Sequence, residues 1–204
     1  SFVSQAASDV DDDDGAPLPS LLPNLPLELQ IPPDEPILRA KAAQELADLL
    51  DRSRSFVILA GPAGAGATRL VARSLTMTRR PIGTVLFGRC SEGVSLAYEP
   101  FLAFLPELRA LVAGPMARET TSIWSAVAEE LTKRSGGEPL TIVLTSAHEI
   151  DSASLDLIAF LARSALDFPV RVLLSGRDDI ERPEFTRLQR TLTVLDHVHQ
   201  VTIE

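Results

Sequence analysis

From residue 37 onward, runs of consecutive apolar residues alternate with segments whose apolar residues recur at helical spacing. The apolar runs predict β-strands at 56–60, 84–88, 140–144 and 170–175 and, as an alternating run, at 197–203. The helical spacing predicts helices over 38–50, 67–78 and 152–166 and a long helical region from 101 to 131. Continuous apolar strands separated by helices are typical of a parallel sheet that is covered on both faces. The pattern therefore predicts a three-layer α/β domain with a mainly parallel sheet.

The first 36 residues differ from the rest of the chain in composition. They hold seven of the 15 prolines and eight of the 28 acidic residues, with no Lys or Arg and no sustained apolar period. Such a composition favours a solvated spacer over a packed unit. We therefore divide the chain into an acidic, Pro-rich linker at 1–36 and a folded domain at 37–204.

Charge and cysteine content limit the partners and the compartment. The chain carries a net charge of −9, and most of that excess lies in the first 36 residues, so the folded part is close to neutral. A near-neutral surface lacks the basic field on which nucleic-acid affinity depends, and any DNA contact is expected from domains outside this sequence. The single cysteine, Cys90, cannot form an internal disulfide, and the sequence shows no signal segment and no apolar stretch of membrane-spanning length. We expect a cytoplasmic location and no membrane partner. Because the sequence begins at Ser1 and ends inside a predicted strand, we also expect a longer parent protein.

A glycine-rich segment joins the first predicted strand to the helix that follows. It places Gly61, Gly64 and Gly66 before Ala67 and Thr68, in the context of a G-x-x-x-x-G-K-[ST] phosphate loop. In such a loop, backbone N–H groups and the helix N-terminus bind phosphate oxygens, the lysine neutralises the outer phosphates, and the hydroxyl ligates Mg²⁺. All five positions are candidate nucleotide-binding residues, with Thr68 as the candidate Mg²⁺ ligand. The lysine is missing, because Ala67 occupies its position.

Two questions about this loop stay open at the level of sequence. Arg69 is a candidate replacement for the missing cation, but one step along a helix rotates a side chain by about 100°, which predicts that Arg69 projects away from the loop. A glycine-rich turn can also serve only the close packing of a strand against a helix. The spacing and Thr68 favour descent from a phosphate loop, whereas they do not decide whether nucleotide is still bound.

The end of the third predicted strand lacks the acidic residues that nucleotide hydrolases of this architecture use to hold Mg²⁺ and orient water. Thr145 and Ser146 stand there instead, and neither hydroxyl supplies a negative charge or a base. Glu149 and Asp151 follow in a loop, and Asp151, with the serine after it, is better explained as a helix cap. His148 is equally compatible with a packed loop residue and a catalytic one. A zinc site is not expected from one His without a nearby Cys.

Five segments of the sequence together form a recognisable set. They are FVILAGPAGAGAT at 56–68, GRC at 88–90, YEPF at 98–101, LTIVLTSAHEIDSASL at 140–155 and LSGRD at 174–178. This set resembles the signal-transduction ATPases with numerous domains, the STAND class. Within that class the chain is most similar to the large LuxR-type and antibiotic-regulator-type bacterial transcriptional regulators, and the resemblance spans residues 37–204. The resemblance implies an AAA-like P-loop ATPase domain in which both the phosphate-loop motif and the strand-end motif are degenerate.

The resemblance implies an ATP-dependent oligomerisation switch that works with other domains of the same protein and with further copies of the chain. Those domains, normally a winged-helix module, a helical-repeat sensor and a helix-turn-helix DNA reader, would lie outside this sequence. The family's lysine falls on Ala67 and its paired aspartates on Thr145 and Ser146. Arg39 matches the middle of a Gly-Arg-Glu motif, and Arg177 falls where the family has an arginine that senses the terminal phosphate, so both become candidate nucleotide-binding residues. A surface ion pair with one of the two aspartates that follow is an equally good explanation of Arg177.

Three functions are compatible with the sequence. The first is a regulatory or scaffolding nucleotide-binding domain that is deficient in ATP hydrolysis, because both the cation and the strand-end acids are lost. Backbone amides alone can hold an anion, so weak binding of ATP or ADP is expected at most, and firm Mg²⁺ binding is not expected. The second is an active or nucleotide-switched ATPase that uses Arg69, Arg177, Glu149 or a neighbouring subunit. The third is a protein-interaction or oligomerisation module whose contact surface is the apolar helices around Phe101 to Leu111 and Trp124, although such helices more often face the core.

Overall fold

The computed structural model describes residues 25–31, 39–93, 96–114, 120–164, 170–180 and 182–203, and its centre is one five-stranded sheet. All neighbouring strands pair in parallel, in the order β2-β3-β4-β1-β5. The strands are β1 (Ser55–Gly61), β2 (Thr84–Arg89), β3 (Leu140–Thr145), β4 (Val170–Arg177) and β5 (Val198–Thr202). The predicted parallel sheet and its five strands are confirmed.

Helices cover both faces of the sheet. The α-helices in the described residues are α1 (Ala40–Leu50), α2 (Ala67–Met77), α3 (Glu99–Leu102), α4 (Leu108–Ala113), α5 (Thr120–Ser135), α6 (Ser152–Arg163) and α7 (Pro183–Leu192). Helices α1 and α2 pack on one face, and α3 to α7 pack on the other. The three-layer α/β architecture predicted from the sequence is therefore confirmed. None of these helices is both long and apolar enough to span a bilayer.

The central strands are buried on both faces, which explains their continuous apolar sequences. In β1, Phe56 and Ile58 pack with the layer of α3 to α7, whereas Val57 and Leu59 pack with α1 and α2. Such two-sided burial is typical of a parallel sheet. Because the strands are parallel, their carboxyl ends meet at one edge, and the loop after β1 follows a strand that pairs with β4 on one side and β5 on the other.

Two helical regions differ from the predicted pattern. The region 101–131 is divided among α3, α4 and the first turns of α5, with breaks that contain Pro106 and Gly114. Proline lacks an N–H donor, and Gly114 leaves α4 in an extended conformation, so neither continues a helix. Helix α7 was not predicted, because apart from Phe185, Leu188 and Leu192 its sequence after the first proline is polar. Residue 38 and residues 165–166 of the predicted helices lie outside the described residues.

Residues 25–31, inside the predicted linker, pack against the domain. A short 3-10 turn, Leu27–Leu29, places Leu29 in the core with α1 and α2, where it is fully buried. Residues 1–24 and 32–38, with the acidic run, lie outside the described residues. The division of the chain at residue 36 therefore stays a prediction.

Candidate functional site

The segment between β1 and α2 forms an open loop at the carboxyl edge of the sheet. Gly64 and Gly66 have φ angles of +75° and +78°, in the left-handed region that residues with a Cβ rarely adopt. A Cβ placed on either glycine would meet no heavy atom within 4 Å, so the space above both is open. Gly61 differs, because a Cβ there would lie 2.9 Å from the carbonyl oxygen of Ile203. Gly61 therefore serves the packing of β1 beside the end of β5, and the other two glycines shape an open cradle.

The backbone of the loop presents hydrogen-bond donors at the start of α2. The N–H of Leu70 donates to the carbonyl oxygen of Gly66 at 2.9 Å. The N–H groups of Ala67 and Thr68 come earlier in the same turn of α2, and within the described residues neither donates a hydrogen bond to the backbone. A helix N-terminus carries a partial positive charge, and N–H groups of this kind bind anions. The loop thus retains the backbone component of a phosphate site.

A cleft of about 620 Å³ opens over this loop. Its walls are the loop, the start of α2 and the carboxyl ends of β2, β3 and β4. Ligands of open α/β sheets bind at this edge of the strands, and the volume lies within the range of small-molecule sites. Six of the seven candidate residues line the cleft, namely Gly61, Gly64, Gly66, Ala67, Thr68 and Arg177.

The seventh candidate, Arg39, lies beside the loop and is not among the residues that line the cleft. It precedes α1 with a φ of +58°, and its Nη1 donates to the carbonyl oxygen of Ala65. This bond joins the start of α1 to the backbone of the loop. Arg39 is therefore placed to support the conformation of the loop, and its role in nucleotide binding stays a prediction.

Arg177, the last residue of β4, lines the cleft while bound to a neighbour. Its Nε and Nη2 each donate to the carboxylate of Asp179 at 2.8 Å. The hydrogen bond from Arg177 lowers the pKa of Asp179, and the same carboxylate accepts a hydrogen bond from the N–H of Ala63. The ion pair considered from the sequence is thus present. It also connects the end of β4 to the phosphate loop.

Hydroxyl groups, and no acid, occupy the end of β3. Thr145 is buried, and Ser146 has a φ of +55°, a conformation that is uncommon for a residue with a Cβ. Both residues line the cleft opposite the loop. The position at which a hydrolase would carry its metal-binding acid therefore faces the loop without a charge.

The acids that follow β3 are already used in other contacts. Glu149 accepts a hydrogen bond from Arg182 at 2.7 Å. Asp151 accepts one from the N–H of Ser154 at 2.9 Å, which confirms its interpretation as the cap of α6. His148 accepts a hydrogen bond on Nδ1 from the N–H of Arg177 at 3.2 Å. Burial lowers the pKa of His148, so its ring is neutral near pH 7.

The donor set fits phosphate better than a divalent cation. The open space above Gly64 and Gly66 leaves room for phosphate oxygens next to backbone N–H donors. Mg²⁺ prefers carboxylate and phosphate oxygens together with water, whereas the residues around the loop offer the hydroxyls of Thr68, Thr145 and Ser146. In the part of the chain that the structure describes, no group of three acidic, His or Cys side chains could hold a metal ion. The phosphates of a nucleotide therefore fit this site, and a resident Mg²⁺ does not.

Two charged residues that line the cleft, Glu28 and Arg89, were not candidates from the sequence. Arg69, the candidate replacement for the missing cation, also borders the cleft, and the direction of its side chain stays a prediction. Arg89 reaches it because β2 pairs with β3, and Glu28 reaches it because the neighbouring Leu29 is anchored in the core. Neither the strand order nor the docking of residues 25–31 has a local signal in the sequence.

An open glycine loop between a central parallel strand and a helix is characteristic of the P-loop NTPase-like fold. The family model for the AAA ATPase domain matches residues 35–174, which is more than half of the chain. The chain therefore belongs to the AAA ATPase domain family. No curated protein matches the sequence.

Two solved structures illustrate the similarity of the fold. One is the ORC2 protein of Aeropyrum pernix, solved in ADPNP–ADP complexes, with a TM-score of 0.53. The other is Cdc6p from Pyrobaculum aerophilum, with a TM-score of 0.57. Each is 15% identical and matches over 85% of this chain, but over only 49% and 48% of its own length. The chain thus spans about half the length of these proteins, and at this identity the similarity concerns the fold.

Proposed function

We propose that this chain is a regulatory or scaffolding nucleotide-binding domain that is deficient in ATP hydrolysis. The observation that carries the proposal is the combination of an open cradle at Gly64 and Gly66 with uncharged residues at Ala67, Thr145 and Ser146. The cradle can bind phosphate oxygens through N–H groups. The side chains that would stabilise a transferring phosphoryl group, or hold its metal, are replaced.

The residues around the cleft also offer no ready base for an attacking water. His148 uses Nδ1 to accept the N–H of Arg177, and Glu149 is engaged by Arg182. Charge stabilisation of the transition state is a large part of phosphoryl transfer, and one arginine finger alone contributes about 10³-fold or more in rate. A site without the lysine, the acids and a base is therefore expected to bind nucleotide without turning it over.

The proposed setting is a cytoplasmic, multidomain transcriptional regulator of the LuxR type. The support is the STAND-like set of segments together with membership of the AAA ATPase domain family. In this setting the partners are the other domains of the same protein and further copies of the chain, and DNA is contacted through domains outside this sequence. The domain would relay or gate a signal through its nucleotide state.

The two other functions receive less support from the geometry. An active ATPase would use Arg69, Arg177, Glu149 or an arginine of a neighbouring subunit. Of these, Arg177 and Glu149 are engaged in ion pairs, whereas Arg69 borders the cleft. An interaction module built on the helices around Phe101 to Leu111 and Trp124 would need exposed apolar side chains. Phe101, Leu105 and Leu108 are buried in the core, and Leu111 and Trp124 are partly buried and pack against it. The expectation that these helices face the core is confirmed for those residues.

The test combines binding and turnover on the same protein. Calorimetry with ATP and ADP is expected to detect weak binding, while phosphate release with Mg²⁺ stays at the level of a buffer control. Ala67→Lys restores the missing cation and is expected to strengthen nucleotide binding, whereas Ala113→Lys, an exposed control outside the cleft, leaves it unchanged. Phosphate release that disappears in Thr68→Ala would contradict the proposal.

A further inference from the structure

The side chains that line the cleft carry more positive than negative charge. Three arginines line it, Arg69, Arg89 and Arg177, together with a single carboxylate, Glu28, among the described lining residues. His148, also in the lining, is kept neutral mainly by burial, which lowers its pKa. Most of the chain's net charge of −9 lies in residues 1–36, so the folded part around the cleft is close to neutral. A positive cleft on such a domain favours an anionic ligand.

Arg89 lies beside the end of β3, where the strand-end acid is missing. It is the last residue of β2, it is exposed, and in the strand register it is the direct partner of Thr145. Its side chain follows the alternation of Val85 and Phe87, which pack in the layer of α1 and α2. That layer contains the helix that begins at the phosphate loop. Arg89 therefore stands next to the strand end where a hydrolase has its metal-binding acid, on the side of the sheet where the loop lies.

Arg89 also differs from the other two arginines in its contacts. Arg177 is bound by Asp179, and Arg69 has an interaction of its own. Within the described residues no carboxylate lies within ion-pair distance of Arg89, although Glu28 borders the same cleft. A guanidinium binds phosphate through two parallel N–H bonds and is always charged. Of the three arginines that line the cleft, Arg89 is therefore the one best placed to bind a ligand there.

We propose that the cleft binds the phosphate chain of a nucleoside diphosphate or triphosphate without a divalent metal, with the Arg89 guanidinium supplying the neutralising charge. This inference rests on the proposed nucleotide-binding function. A divalent cation normally neutralises the phosphates, and a protein holds it through acids that are replaced here by Thr145 and Ser146. Metal-free nucleotide carries more negative charge than its Mg²⁺ complex. It should therefore be bound at least as well by a site whose charge comes from arginine.

The experiment is calorimetric titration of the full 204-residue chain with ADP, once in excess EDTA and once in excess Mg²⁺. The dissociation constant in EDTA is expected to be equal to or lower than that in Mg²⁺. Arg89→Ala is expected to weaken binding by about tenfold or more, the scale of one charge-assisted hydrogen bond, with Arg89→Lys between it and the parent. Arg190→Ala, which removes an exposed arginine outside the cleft, is expected to change affinity less than about twofold.

The outcomes separate this inference from the function on which it rests. Binding that occurs only with Mg²⁺ overturns the inference and leaves the nucleotide-binding function standing. Metal-free binding that Arg89→Ala does not weaken overturns the role of Arg89. The absence of ADP binding in both buffers, with a parent chain that unfolds cooperatively on heating, overturns the proposed function itself. Thermal unfolding of each variant confirms that any loss of affinity comes from a folded protein.

Discussion

Replacing Gly66 by alanine separates the shape of the phosphate loop from the stability of the fold. Gly66 has a φ of +78°, and an added Cβ would meet no heavy atom within 4 Å. The cost to folding is therefore conformational, roughly 1–2 kcal/mol for a left-handed residue with a Cβ. In a domain of this size that corresponds to a fall in Tm of about 2–8 °C. The new methyl group would occupy the open cradle, and losing one hydrogen bond to a charged phosphate weakens binding by about tenfold or more.

Gly137→Ala is the matched control for this prediction. Gly137 has a φ of +88° with no heavy atom within 4 Å of an added Cβ, and it lies in the turn between α5 and β3, outside the cleft. It is expected to lose similar stability without losing affinity. The assays are differential scanning calorimetry for Tm and titration with ADP for the dissociation constant. If Gly66→Ala and Gly137→Ala change ADP affinity equally, the open space over the loop is not the phosphate cradle.

Three further predictions test other parts of the account. Glu28→Gln removes a carboxylate from the cleft and is expected to strengthen ADP binding a few-fold by titration; unchanged affinity would mean that Glu28 does not act on the ligand. Arg171→Ala removes a buried side chain that donates to the carbonyl oxygens of Arg52 and Pro81, and urea denaturation is expected to show a loss of roughly 2–4 kcal/mol. His148→Gln is expected to flatten the pH dependence of stability. Burial lowers the folded pKa of His148 below 6.5, so its contribution is complete above pH 6.5 and is lost as the pH falls through the folded pKa. Urea titrations at several pH values above and below pH 6.5 give the free energy of unfolding of the parent and of His148→Gln. An equal dependence of that free energy on pH in both proteins would refute the prediction.

The fold could be predicted from the sequence because its signals are local. The three central strands are buried on both faces and are visible as nearly continuous apolar runs. The edge strand β5 exposes Gln200 and Thr202 and is visible as an alternating run. Helix α7 was missed because a helix that buries only a narrow stripe shows few apolar residues, here Phe185, Leu188 and Leu192. The break at Gly114 was missed because the apolar spacing continues on both sides of it.

The candidate site was only partly predictable for a related reason. The phosphate loop is a contiguous motif, and its glycines and Thr68 do line the cleft. Arg89 and Glu28 arrive from a distant strand and from the segment before the domain, so their positions depend on strand order and on tertiary packing. Arg69 borders the cleft because it lies in the first turn of α2, directly after the loop.

The central claim is that the loop still holds nucleotide phosphates while the groups needed to cleave them are gone. Equilibrium dialysis of the chain against labelled ATP and Mg²⁺, followed by chromatography of the nucleotide in the protein chamber, tests both halves at once. We expect labelled nucleotide to accumulate in the protein chamber and to be recovered as intact ATP. Recovery of ADP would contradict the loss of hydrolysis, and no accumulation at all would contradict the binding of nucleotide.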